Sequence, residues 1–133
     1  MFSTDELCSL RWDPVSQAAE IIDQTLLPHA LRWCHLDSLS AYCHAIATMQ
    51  VRGAPLIGIT AAYGLAQSLS HDPSDDNLKR SHAALLATRP TAVNLRWALD
   101  LVRTQVSELE PQHRAAQALQ CAHDLRAQDI DCC

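Results

Sequence analysis

The chain has 133 residues, enough for one domain of ordinary size and too few for two. Its 15 Asp plus Glu against 10 Lys plus Arg leave a formal net charge of -5, which argues against bare nucleic acid or an anionic membrane surface as the main partner. Hydrophobic residues reach 48%, so a real core can form, and 20 Ala and 19 Leu against 11 Val plus Ile favour helices over sheets.

The opening Met-Phe-Ser-Thr-Asp-Glu-Leu carries acids where a signal peptide carries Lys or Arg, so no targeting segment is read there. Residues 1–36 are punctuated by Pro14 and Pro28 and read as short strands or extended arms: Leu10 to Asp13, Glu20 to Leu27 and Ala30 to Leu36. A small antiparallel sheet fits them. From residue 37 to 133 the pattern turns helical. Asp37 or Ser38 can cap a helix with Leu39, Tyr42, Cys43 and Ile46 on one face, ending near Gly53. A second helix starts at Pro55 and runs to about Leu69, apolar on nearly every side. Its longest mostly apolar run, Pro55 to Ala66, is far short of the roughly 20 residues a membrane span needs. A buried helix is the expectation.

Three more helices follow. The third covers about Asn77 to Ala87. The fourth starts around Arg89-Pro90-Thr91, with Pro90 near its first turn, and runs through Leu109. Its amphipathic face is read from Val93, Trp97 and Leu101 with Ala98, Leu99 and Val102 alongside. The fifth runs from Gln112 to about Gln128. The fold class expected is therefore α+β, a small amino-terminal antiparallel sheet followed by a bundle of about five helices.

Two segments carry chemistry: Val51-Arg52-Gly53-Ala54-Pro55 and Thr88-Arg89-Pro90-Thr91. Each sets an arginine just before a helix begun by proline. The first turn of a helix offers unpaired N–H groups and the positive end of its dipole, and a guanidinium adds planar charged donors. Gly53 lets a ligand approach the backbone. The reading is an anion site fed by both loops; the plainer alternative is arginines that merely end one element before the next begins. Asn94, one turn into the fourth helix, could bond a ligand or cap a loop. The seven histidines show no H-x-x-x-H spacing and the six cysteines no C-x-x-C pair, so no metal site is expected. The cysteines read as reduced thiols of a cytosolic protein. Trp12, Trp33 and Trp97 read as core or interface anchors, since no basic stripe accompanies them.

The blocks Val51 to Ala66 and Thr88-Arg89-Pro90-Thr91-Ala92-Val93-Asn94-Leu95-Arg96-Trp97-Ala98-Leu99, with Ile22 to Pro28 upstream, resemble the amino-terminal region of the S-methyl-5-thioribose-1-phosphate isomerase family. The resemblance reaches from these blocks over nearly the whole chain, to about Ile130. It implies conversion of 5-methylthioribose 1-phosphate to 5-methylthioribulose 1-phosphate in methionine salvage, with no metal or organic cofactor, in a cytoplasmic homodimer that uses neither nucleic acid nor membrane. It also implies that Arg52, Gly53, Ala54 and Arg89 contact the substrate.

Family members run to well over twice this length and keep their catalytic cysteine and aspartate in a carboxy-terminal Rossmann-like domain. Its Cys-Asn motif does not occur here, and Cys132 and Cys133 do not replace it. The chain is thus expected to be the amino-terminal domain of a truncated two-domain enzyme, with part of the pocket and no catalytic residue. Two rivals stand beside this. One is a non-catalytic interaction module akin to the regulatory subunits of a translation-initiation exchange factor. The other is a fragment of an isomerase acting on another phosphorylated pentose, such as ribose 1,5-bisphosphate.

Overall fold

A run dominated by small and apolar residues tends to be buried all round, and Ile57 to Leu69, with Thr60, Gln67 and Ser68 as its polar members, is such a run. In the computed structural model, which describes residues 10–13, 15–22, 33–48 and 54–132, that run is buried at every position. It belongs to the central helix, around which the other elements pack. Among the described residues there are three strands followed by five helices, in the α+β order expected: β1 (Leu10–Asp13), β2 (Ala18–Ile22), β3 (Trp33–Leu36), α1 (Leu39–Ala47), α2 (Ala54–His71), α3 (Asp75–Thr88), α4 (Val93–Val106) and α5 (Pro111–Cys132). No helix among the described residues is long and apolar enough to cross a membrane.

The strands form one antiparallel sheet in the order β1-β2-β3. Register sets Leu10 opposite Ile21 and Ala19 opposite Leu36, so these four share the face that enters the core. On the other face Arg11, Glu20 and His35 are register partners. Arg11 Nε donates to Glu20 Oε1 at 2.9 Å, His35 Nδ1 lies 3.6 Å from Glu20 Oε2, and the Arg11 guanidinium sits 3.9 Å over the Trp33 ring. The β1–β2 turn is shaped by Asp13, whose carboxylate accepts from Val15 N–H and Ser16 O–H. Those two bonds hold its carboxyl below the usual carboxylate range. Gln17 completes the turn in the left-handed region at φ 57°.

Helix α1 starts as expected, with Ser38 Oγ accepting from Ala41 N–H. It stops sooner than expected. Its end is Ala47 rather than the neighbourhood of Gly53, because Thr48 leaves helical geometry and turns its hydroxyl onto the His44 carbonyl at 2.7 Å. Helix α3 starts two residues earlier than read, capped by Ser74 with Asp75 and Asp76 in its first turn.

The fourth helix needs the larger correction. Pro90 lies in a turn closed by Ala92 N–H donating to the Arg89 carbonyl at 3.0 Å, and the helix begins at Val93. It ends at Val106 rather than Leu109. Its buried side is Leu95, Ala98, Leu99, Val102 and Val106, while Val93 and Trp97 are 77% and 55% exposed. Trp97 is therefore not a core residue. Helix α5 exceeds its expected span at both ends.

Polar links between helices are satisfied locally. Asn77 Nδ2 donates to the Ser68 and Asp72 carbonyls, tying α3 to the end of α2, and His82 Nε2 lies 2.8 Å from Asp100 Oδ1 between α3 and α4. Arg114, only 5% exposed, does most to fix the loops. It donates to the carbonyls of Pro73, Ser107 and Leu109 and meets Asp75 Oδ1 at 2.6 Å. One guanidinium thus joins the α2–α3 loop, the end of α4 and the start of α5. Arg114→Met leaves those carbonyls without their donor and should lower unfolding free energy by about 2–4 kcal/mol in chemical denaturation. Asp75→Asn removes only an exposed partner and should cost under about 1 kcal/mol. Equal, small losses in the two variants would contradict this role for Arg114.

Candidate functional site

The two loops singled out in the sequence lead into α2 and α4, and a glycine decides how those helices meet. Gly58 lies one turn into α2. A Cβ there would stand 2.8 Å from the Asn94 backbone oxygen and 3.2 Å from the Ala98 Cβ. Asn94 is the second residue of α4. The first turns of α2 and α4 are thereby brought against one another. Both present backbone N–H groups that no earlier turn of helix can accept. At α4 the cap is Ala92, which has no side-chain acceptor, so no side chain caps these donors.

Of the four expected site residues, Arg52 and Gly53 lie outside the described residues. Ala54 is the first residue of α2. Arg89 ends α3 in a non-helical conformation, φ -148° and ψ 76°, half-buried, and its carbonyl closes the turn into α4. Arg89 thus lies between the end of one helix and the uncapped start of the next. Pro90 does not begin α4, so the free donors there are those of the turn opening at Val93. Asn94 has an exposed side chain while its backbone packs on Gly58.

Beside this junction Val93 and Trp97 stand one turn apart on the outer side of α4. The sequence pattern contains that apolar pair but predicts it to face inward. Two adjacent apolar rows run along this helix, and the contact of Gly58 with Asn94 and Ala98 turns the Leu95–Ala98–Leu99–Val102 row to the core.

A second cluster joins the sheet to the bundle. Trp12 of β1 stacks on Tyr63 of α2, with ring centroids 5.2 Å apart and planes 15° off parallel, and His123 of α5 meets both rings edge-on. The Tyr63 hydroxyl and His123 Nδ1 are 2.8 Å apart. Burial pushes the Tyr63 phenol up to about 12, so it keeps its proton, and the tautomer of the neutral imidazole decides which of the two groups donates. Burial, aided by the positive charge of Arg126 and opposed by Asp124, lowers the His123 pKa below its ordinary 6.5. Burial also raises the thiols of Cys43 and Cys121, the latter with help from Asp124. Neither is an activated thiolate.

Because His123 titrates lower in the folded chain than in the unfolded one, the unfolded state binds the extra proton first on acidification. The stability from this contact is complete above about 6.5 and is lost as pH falls through that value toward the folded one. Melting temperature should drop more between pH 7.5 and 5.5 in the parent than in His123→Gln, whose amide does not titrate. Parallel pH profiles for the two proteins would contradict the burial-lowered pKa of His123.

The model of the Initiation factor 2 subunit family matches residues 50–130, which include both helix starts. A methylthioribose-1-phosphate isomerase of Methylocella silvestris is 52% identical over 114 residues, covering 86% of this chain and 31% of that protein. One from Dechloromonas aromatica is 49% identical over 122 residues, covering 92% and 34%. The chain thus spans about a third of the length of these relatives. Among solved structures, translation initiation factor eIF-2B subunit delta from A. fulgidus superposes with a TM-score of 0.83 at 29% identity, over 92% of this chain and 37% of that one. The 5-methylthioribose 1-phosphate isomerase of Pyrococcus horikoshii gives 0.80 at 29% identity, over 88% and 35%.

Proposed function

The chain belongs to the Initiation factor 2 subunit family, and on that premise we propose that it supplies part of the phosphorylated-sugar pocket of a methylthioribose-1-phosphate isomerase. The carrying observation is the identity of about half to proteins of that name over most of this chain. The bound group is the sugar phosphate. The N–H groups opening α2 and α4 and the guanidinium groups of Arg52 and Arg89 meet the phosphate, with Gly53 and Ala54 giving the ligand access to the backbone. An anion held at two helix starts needs no metal to balance it.

The isomerisation itself requires a group that removes a proton from one carbon and one that returns it to the next. No residue of this chain is assigned that work. The 133-residue chain therefore binds without turning over, and the two-domain context, in the cytoplasm and as a homodimer, completes the enzyme. The near-equal superposition on the initiation-factor subunit supports a second reading, a docking module, and the exposed Val93–Trp97 pair is what such a module would use. The bisphosphate-sugar reading gains no observation of its own.

Methylthioribose 1-phosphate should raise the melting temperature of the parent chain. Arg52→Ala and Arg89→Ala should each weaken binding by about ten- to a hundredfold, the worth of a charge-assisted phosphate contact, and no ketose product should form. An equal thermal shift in parent and both variants, or turnover by this chain alone, would overturn the proposal. Absence of any ligand effect would leave the docking module as the better reading.

A further inference from the structure

Two apolar side chains stay in solvent on α4, beside the helix start that would hold the phosphate. Val93 is 77% exposed and Trp97 55%, and they stand one turn apart on the same row. Their neighbours on the outer side of that helix are polar: Asn94, Arg96 and Asp100 are all exposed. A stable protein interface buries roughly 800 Å² on each partner, far more than two side chains set among polar ones supply. The pair is the right size for one small apolar group of a ligand.

Helix geometry aims that pair. A helical side chain leans toward the start of its own helix and covers the turn before it, so the Trp97 indole lies over the first turn of α4. About 6 Å of helix axis separates Val93 from Trp97, which puts the indole and the uncapped N–H groups within reach of one small molecule. Asn94 and Ala98, on the adjoining row, meet Gly58, so the pair borders the line where α2 and α4 touch. The substrate named for the relatives has matching ends. In 5-methylthioribose 1-phosphate the phosphate is on the first carbon and the methylthio group on the fifth, on opposite sides of the sugar. The phosphate calls for the N–H donors. The thioether calls for apolar, polarisable surface, and an aromatic ring is a favourable neighbour for its sulfur.

We propose that Val93 and Trp97 are specificity residues of the phosphorylated-sugar pocket: they receive the methylthio group while the starts of α2 and α4 hold the phosphate. This rests on the reading of the chain as part of that pocket. The helix starts then accept any sugar phosphate, and Trp97 distinguishes the sugar whose far end is apolar from one that ends in a hydroxyl.

The test is calorimetric titration of the 133-residue chain with methylthioribose 1-phosphate and with ribose 1-phosphate, which keeps the phosphate and carries a hydroxyl in place of the methylthio group. The parent should bind the first about tenfold tighter. Trp97→Ser should bring the two affinities together, and Trp97→Phe should keep most of the preference. Trp97 is exposed, so neither variant disturbs the core. Arg89→Ala should weaken both ligands and leave their ratio unchanged. Equal affinities in the parent, a preference that survives in Trp97→Ser, or equal weakening of both ligands by that variant would each overturn the role of Trp97 and leave the phosphate site standing. Failure of either sugar phosphate to bind the parent would overturn the phosphate site, and this role with it.

Discussion

Two places on α2 have no room for a side chain: the Asn94 backbone oxygen would stand 2.8 Å from a Cβ at Gly58, and the Tyr42 ring 2.9 Å from one at Gly64. Those approaches let α4 and α1 close directly on the central helix, which is why α2 can be buried on all sides. An alanine in an exposed helix is ordinarily better than glycine by up to about 1 kcal/mol. At Gly58 the obstacle is a backbone oxygen, which cannot rotate aside, so the gain is outweighed by displacement of the α4 start. At Gly64 it is the Tyr42 ring, whose hydroxyl is held between Ala19 and Gln67. The two glycines therefore fix more than packing. One sets the junction of the helix starts, and the other sets the polar link between sheet and bundle.

Seen from that helix, the chain has three kinds of attachment. Apolar contact dominates, since Leu10, Ile21, Ile46, Leu85, Leu95, Leu99 and Val102 join the α2 residues in one core. Aromatic contact comes next: Trp12 and His123 hold Tyr63 from the sheet and from α5. The third is polar and peripheral, with Arg114 gathering carbonyls from three segments. The anion site we propose lies at the start of α4, away from the aromatic and Arg114 links. There the helix has no side-chain cap, and Val93 and Trp97 are exposed beside it.

Much of this was legible in the sequence because the relevant forces are local. The proline after Asp13 marked the end of β1, Ser38 marked a cap, and the mostly apolar run beginning at Pro55 marked the buried helix. Sequence does not fix the start of α4, because proline suits a first helical turn and a preceding turn equally well; the Ala92 to Arg89 hydrogen bond chooses the second. Nor does it fix the buried face, because rows four residues apart drift around the helix and leave two apolar rows side by side. Only a contact from α2, distant in sequence, selects between them. Arg114 gave no signal, since three of its partners are backbone oxygens, which every sequence possesses, and the fourth, Asp75, is an acid of an exposed helix start like many others. The arginine blocks suggest anion-binding chemistry, and the proposal of what they bind rests on the relatives rather than on geometry.

The central claim is that the contact at Gly58 makes one anion site from two helix starts. Amide chemical shifts of the whole chain, followed by NMR during titration with inorganic phosphate, address it directly. The account predicts saturable shifts at the amides of residues 53, 54, 56 and 57 and of residues 92–95 together, with one common dissociation constant, and little change elsewhere. Separate constants for the two groups of amides, or shifts spread over the surface without saturation, would contradict it.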